Sequence, residues 1–195
     1  MSIDPLLDHS GPWTEEEFLA LGETRNRIEL IDGSLWVTPN ADFPHQRISR
    51  RIAGMIDPEP HDLAVELLPT VNVRLAPNRI VSPDLAIGMF PEVCTIAEAA
   101  DVLLACEITS PSNAAVDRVQ KKDFYAAAKI PWYLLIEPDK KTYQSVTVCL
   151  LRLDGDKYIE HAIAGFGEIL TSDLPYPIAI DTTMLLGIRP RPDCL

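Results

Sequence analysis

Residues 101–113 read DVLLACEITSPSN. Val102 to Ile108 form an apolar run of strand length, and the Ser- and Pro-containing turn behind it closes the strand. Glu107 stands inside that run. An ionised carboxylate without a partner in a dry interior costs on the order of several kcal/mol or more. Glu107 must therefore be paired, exposed at a strand end, protonated or bound to a metal ion. Any fold this chain adopts has to supply one of those four solutions.

The remaining sequence supplies the elements around it. Thr14 and Glu17 make a capping box for a helix in PWTEEEFLALGE, with Phe18, Leu19 and Leu21 as its apolar side. RIELIDGSLWVTP reads as a hairpin turning on Asp32-Gly33. In HQRISRRIAGMI, Ile48, Ile52, Met55 and Ile56 share one helical face, and Pro58 and Pro60 end the helix. AVELLPTVNVRL and RIVSPDLAIGM are expected to be two strands joined at APN, with Pro69 marking an edge or a bulge. After the Glu107 strand comes a helix in NAAVDRVQKKDFYAAAK, capped by Ser112 or Asn113. A strand in PWYLLIE follows, then a hairpin of SVTVCLLRL and YIEHAIA across DGDK, then a proline-rich, irregular tail. This order predicts one α/β or α+β domain built on a mixed sheet. A length of 195 residues, 47% of them apolar, suits a single core.

Charge and composition narrow the function classes. The net charge of −12 argues against a general nucleic-acid coat protein, which needs a basic face. A nucleic-acid enzyme stays open, because local charge and bound divalent cations override the total. Cys94, Cys106, Cys149 and Cys194 are scattered without a C-x-x-C pair, and are expected to be reduced, mostly buried thiols of a cytoplasmic protein. No run is long enough to span a bilayer, and MSIDPLLDHSGPW lacks a basic n-region, so neither a membrane anchor nor a signal peptide is expected. The chain has no G-x-x-x-x-G-K-[ST] and no G-x-G-x-x-G, hence no nucleotide cofactor is expected. It has no G-x-S-x-G elbow, and its four histidines lack zinc-ligand spacing.

Ser82-Pro83-Asp84 precedes Glu107 by one strand. If the two strands pair, Asp84 and Glu107 converge at one end of the sheet, where one proton is retained or a cation fills the gap. Oxygen ligands of this kind suit Mg²⁺ or Mn²⁺, with waters completing the shell and the Ile108 backbone carbonyl as a further ligand. The alternative is a turn-ending Asp84 and a Glu107 paired with an arginine. On the following helix Asp117, Lys121 and Tyr125 recur at i, i+4 and i+8. They are either a solvated ion pair or a face that carries Lys121 over the carboxylates, where it orients water or stabilises developing charge. His45 lies beside the apolar stripe of its helix, as a structural histidine or a nucleic-acid contact. Arg47 and Arg51, one turn apart, are a solvated basic face or phosphate contacts. Glu29 either pairs with Arg27 or Arg47 or adds an acid near the metal.

Taken in order, RIELIDGSLWV, HQRIS, VSPDLAIG, CEITSPS, DRVQKKDFYAAAKIPWYLLIEP and EILTSDLPYPIAID resemble the segments of the bacterial Uma-two family of the PD-(D/E)xK nuclease superfamily, over about residues 14–186. The resemblance implies a restriction-endonuclease-like fold, a mixed central sheet flanked by helices, with residues 187–195 as a tail. It implies a Mg²⁺ or Mn²⁺ site on Asp84 and Glu107. The superfamily's lysine two residues after the second acid is replaced by Thr109, and the family's displaced lysine matches Lys121. Glu29 and His45 match recurring positions. Leu134 and Glu137 depart from the family's frequent tryptophan and aspartate. The implied activity is metal-dependent endonucleolytic hydrolysis of nucleic acid, DNA first; separately, the edge strands of the expected sheet lead us to expect a homodimer. The rival expectations are a catalytically silent nuclease fold that binds nucleic acid or protein, and a two-carboxylate glycosidase. The 7% aromatic content disfavours the glycosidase.

Overall fold

The computed structural model describes residues 9–22, 24, 26–38, 41–59, 64–109, 116–139 and 141–187, with residues 116–119 described by backbone alone. Helix α1 (Glu15–Ala20) starts at Thr14, whose capping box with Glu17 is formed as expected. Strands β1 (Arg27–Ile31) and β2 (Ser34–Thr38) pair across Asp32 and Gly33, both at positive φ. That is the twist a two-residue hairpin loop requires. Helix α2 (Phe43–Met55) is capped by Asp42 and buries Ile48 and Ile52 along its predicted stripe.

Two runs expected as single strands are each broken in two. Residues 64–75 contain β3 (Glu66–Pro69) and the start of β4 (Val73–Ala76), and residues 79–89 contain β5 (Arg79–Val81) and β6 (Leu85–Gly88). The breaks face each other. Thr70 adopts a left-handed φ of 52°, and its N–H reaches the Asp84 carbonyl at 3.2 Å. Pro83, with no N–H to give a ladder, lies within the second break. Both runs thereby leave one sheet and enter another. β4 pairs with β5 in a five-stranded sheet of order β2-β1-β5-β4-β7, where β7 is Ala97–Glu98. β3 pairs with β6 in a six-stranded sheet of order β11-β10-β9-β8-β6-β3. Pro69 sits on its edge strand, where a missing donor is harmless.

β8 (Val102–Ile108) lies inside the six-stranded sheet, antiparallel to β6 and parallel to β9 (Trp132–Pro138). Helix α3 (Val116–Ala127) makes the crossover between those parallel strands. β10 (Val146–Asp154) and β11 (Lys157–Ala164) form the expected hairpin. One face of the sheet, carrying Leu104, Cys106, Ile108, Leu134 and Ile136, packs with Ile48 and Ile52 of α2. The other face, with Ala86, Ala105 and Tyr133, packs with Tyr125 and Ala126 of α3 and with Val73 and Val81 of the smaller sheet.

The sequence reading assigned no elements after β11, yet β12 (Ile169–Ser172), β13 (Ile178–Asp181) and α4 (Thr182–Leu186) are present. They are short and interrupted by prolines, so no periodicity marks them. Burial of Leu170, Ile178, Ile180 and Leu185 against α2 holds them. Cys106 is buried, Cys149 half-buried and Cys94 exposed, and all three are free thiols. No described helix is long and apolar enough to cross a membrane. Residues 188–195, with Cys194, and the expected helix caps Ser112 and Asn113 lie outside the described residues.

Candidate active site

The register of β6 and β8 pairs Leu85 with Cys106 and Ala86 with Ala105. Just before Leu85, Asp84 lies beside the end of β8, where the Ile108 N–H donates to its carboxylate. Side chains alternate along a strand, so Glu107 shares the face of Ala105. This is the face that α3 and the smaller sheet cover. Neighbouring like charges repel, and both side chains are buried. The fold answers with donors from four separate elements.

Asp84 takes three of them. Arg27 Nη1 on β1 donates to Oδ1 at 2.9 Å. His45 Nε2 on α2 lies 3.2 Å from Oδ2, and the Ile108 N–H donates to the same oxygen at 2.8 Å. Burial works against ionisation, but His45, Arg27 and the Ile108 N–H outweigh it and hold the carboxyl well below its ordinary range. The His45 imidazole is raised in turn: burial lowers its basicity, and its bond to Asp84 more than restores it.

Glu107 is held differently. Lys121 Nζ lies 3.1 Å from Oε1, and the Tyr125 hydroxyl donates to the same oxygen at 2.6 Å. Among the described residues, both contacts fall on that one oxygen. Burial pushes the carboxyl up to about 7; Lys121 pulls it down and Asp84 pushes it further up. Lys121 also donates to Glu29 Oε1 at 2.9 Å, and Glu29 accepts the Ser82 N–H at 2.7 Å. Glu107 and Glu29 raise the Lys121 ammonium above its ordinary value in spite of its burial. Three carboxylates thus face two permanent cations, Arg27 and Lys121. The cluster is one positive charge short unless a proton or a metal supplies it.

Glu29, His45, Asp84, Glu107 and Lys121 converge, and Ile108 joins them through its backbone. Glu29 pairs with Lys121, and neither Arg27 nor Arg47 is its partner. Glu107 pairs with a lysine and a tyrosine where the alternative reading had an arginine. Arg47 is exposed on α2, apart from the cluster. Arg51 turns away, donating to the Leu185 carbonyl at 3.1 Å and packing its guanidinium where any side chain at Gly187 would stand. The side chain of Asp117 lies outside the described residues. Tyr125, noted in the sequence only for its helical spacing, is a direct partner of Glu107. Arg27, expected only as a pairing partner of Glu29, is instead a donor to Asp84. Its signal was there: it lies two residues before Glu29, hence on the same face of β1.

A model of the Uma2 family, described as "Putative restriction endonuclease", matches residues 15–184. The chain belongs to the Uma2 family. A crystal structure of a putative nuclease belonging to DUF820, from Anabaena variabilis, superposes on it with a TM-score of 0.68 at 19% identity. That match covers 90% of this chain and 98% of the other. No curated protein matches. The Uma2 chain therefore has the restriction-endonuclease-like α+β fold of mixed sheets flanked by helices. Its cluster occupies the end of the β6–β8 pair, where Asp84 and Glu107 meet.

Among the described residues, no three His, Cys, Asp or Glu side chains form a ready-made metal cage. The groups of the Uma2 chain that could hold a metal ion are instead two carboxylates and the edge of one peptide. In extended backbone a residue's N–H and C=O leave the same strand edge. The Ile108 carbonyl therefore points along the edge whose N–H already reaches Asp84. Hard oxygens of this kind are the donors that Mg²⁺ and Mn²⁺ prefer.

Proposed function

We propose that this chain is a divalent-metal-dependent endonuclease that hydrolyses phosphodiester bonds of nucleic acid, with DNA as its substrate. The observation that carries the reading is the buried Asp84–Glu107 pair at the end of the β6–β8 ladder, with Glu107 tied to a lysine from the next helix. Asp84, Glu107 and the Ile108 carbonyl would hold Mg²⁺ or Mn²⁺. When bound, such an ion polarises a phosphoryl oxygen and lowers the pKa of a coordinated water.

The chain's own groups do the rest. His45, Arg27 and the Ile108 N–H keep Asp84 ionised and fix its orientation. Tyr125 and Lys121 hold Glu107 by one oxygen. Glu29 anchors Lys121 from behind, so the ammonium stays beside Glu107, where positive charge offsets the negative charge on the phosphoryl oxygens. Arg47, exposed on α2, supplies a phosphate contact to the nucleic acid. A homodimer fits the exposed Ile159 and Ile163 on the edge strand β11, and light scattering tests it.

The deciding experiment is cleavage of supercoiled plasmid and single-stranded DNA with Mg²⁺ or Mn²⁺, beside an equally folded Glu107→Ala protein. Metal-dependent cutting that disappears in the variant supports the reading. If Asp84→Ala and Glu107→Ala both leave cutting and Mn²⁺ binding intact, the site is elsewhere. Tight DNA binding with no metal-dependent products would point to a silent nuclease fold instead.

A further inference from the structure

A phosphodiester has to reach the cluster from solvent, and the six side chains differ sharply in how far solvent reaches them. Glu29 is 2% exposed, Lys121 4%, Asp84 5%, His45 9% and Glu107 10%, while Arg27 is 25% exposed. Lys121, with two carboxylate partners and almost no exposure, is an inner counter-charge. Arg27 is the member of the cluster on its open side.

The bonds of Arg27 point the same way. A guanidinium carries five N–H donors in a fixed fork. Both Arg27 contacts, to Asp84 Oδ1 at 2.9 Å and to the Ser82 carbonyl at 3.1 Å, are made by Nη1 alone. Among the described residues, Nε and Nη2 have no hydrogen-bond partner. A residue needed only to neutralise Asp84 would serve as well with a single point charge. Here one nitrogen is anchored twice, the plane of the fork is fixed, and the other donors are left over beside the proposed metal ligand. A fork with two parallel donors matches two oxygens of one phosphate.

Resting on the nuclease reading, we infer that Arg27 is a substrate-binding residue of this site. Its anchored Nη1 orients the guanidinium, and its Nε and Nη2 donors receive the phosphate group that lies next to Asp84. Arg27 and Lys121 then divide the work. Lys121 balances the acids from inside, and Arg27 meets the nucleic acid from outside.

The test compares wild type, Arg27→Met and Arg27→Lys as full-length proteins. Mn²⁺ affinity is measured by calorimetry. Binding of a fluorescein-labelled DNA duplex is measured by anisotropy over a salt series, with EDTA and with Mn²⁺. Arg27→Met is expected to change Mn²⁺ affinity little: a competing cation beside Asp84 is gone, and His45 and the Ile108 N–H still hold the carboxylate. It should lose about tenfold in DNA affinity, with a log K against log salt slope shallower by about one. Arg27→Lys, which keeps the charge and is the safeguard should Arg27→Met fail to fold, is expected to keep the slope and still bind several-fold more weakly. Variants that bind DNA with wild-type affinity and slope overturn the inference and leave Arg27 as a counter-ion of Asp84. A folded wild type that binds neither Mn²⁺ nor DNA overturns the nuclease reading itself, and this inference with it.

Discussion

Asp84 and Glu107 meet at the end of the β6–β8 pair, at similar depth, and their surroundings drive them in opposite directions. Asp84 sits at a break in the chain, where β5 passes into β6. There it collects three donors on two oxygens and is held ionised. Glu107 lies within a continuous strand, where its backbone is paired with Leu135 of β9. Among the described residues, its donors are side chains of α3, and both fall on one oxygen. Burial then prevails and the carboxyl rises to about 7. Irregular backbone next to a carboxylate lets peptide N–H groups and distant side chains solvate it. Regular strand leaves that task to whichever helix covers the face. Two identical functional groups thus acquire the distinct proton affinities from which acid and base roles are built.

The comparison can be broken most violently at Lys121. Replacing it by Met strips Glu107 and Glu29 of their shared cation, and losing one partner of a buried pair costs about 3–5 kcal/mol. Urea denaturation of Lys121→Met should show a loss of that size, with part recovered when Glu107→Gln is added. Full stability in the single variant would mean the ammonium is not buried between the acids.

Glu107→Gln sharpens the contrast through pH. The folded carboxyl is raised from 4.5 to about 7, so the folded state prefers the proton. Its contribution is fully present below about pH 4.5 and is lost as pH rises through about 7. In metal-free buffer, wild type should therefore lose stability relative to Glu107→Gln across that window, by up to about 1.4 kcal/mol per pH unit. Parallel stability curves would refute the raised value.

Asp84 predicts the opposite sign. Its folded carboxyl lies below the ordinary 3.8, so its contribution is present above that pH and disappears on acidification. Asp84→Asn should cost about 2 kcal/mol at pH 7, the worth of a hydrogen bond to a charged group, and much less in acid. A cost that does not shrink in acid would place the effect in packing. The mildest change is Tyr125→Phe, which removes one donor from Glu107 and should cost about 1 kcal/mol, read by thermal unfolding. It should also raise the Glu107 carboxyl further, visible by NMR titration of its side-chain carbon.

Much of this protein is legible along the chain because the signals are local. The Thr14–Glu17 cap, the Asp32-Gly33 hairpin, the Ile48–Ile52 stripe and the apolar strand holding Glu107 are each written within a few residues. Lys121 belongs with them. It lies 14 residues after Glu107, on the helix that crosses back over the same strand, so helical spacing alone could place it there. Other features are written only in three dimensions. The runs 64–75 and 79–89 look continuous in sequence, because propensity does not register that two sheets are competing for them. Glu29 meets Lys121 across 92 residues, and Arg27 meets Asp84 across 57. The α4 cap on α2 depends on a guanidinium 134 residues from the carbonyl it reaches. Which residues are apolar, where turns begin and that Glu107 needs a partner are all written along the chain. Which partner each acid receives is settled when the fold closes. Pairing of charges depends on distances across sheets, and a linear chain holds no record of those distances until the core has closed.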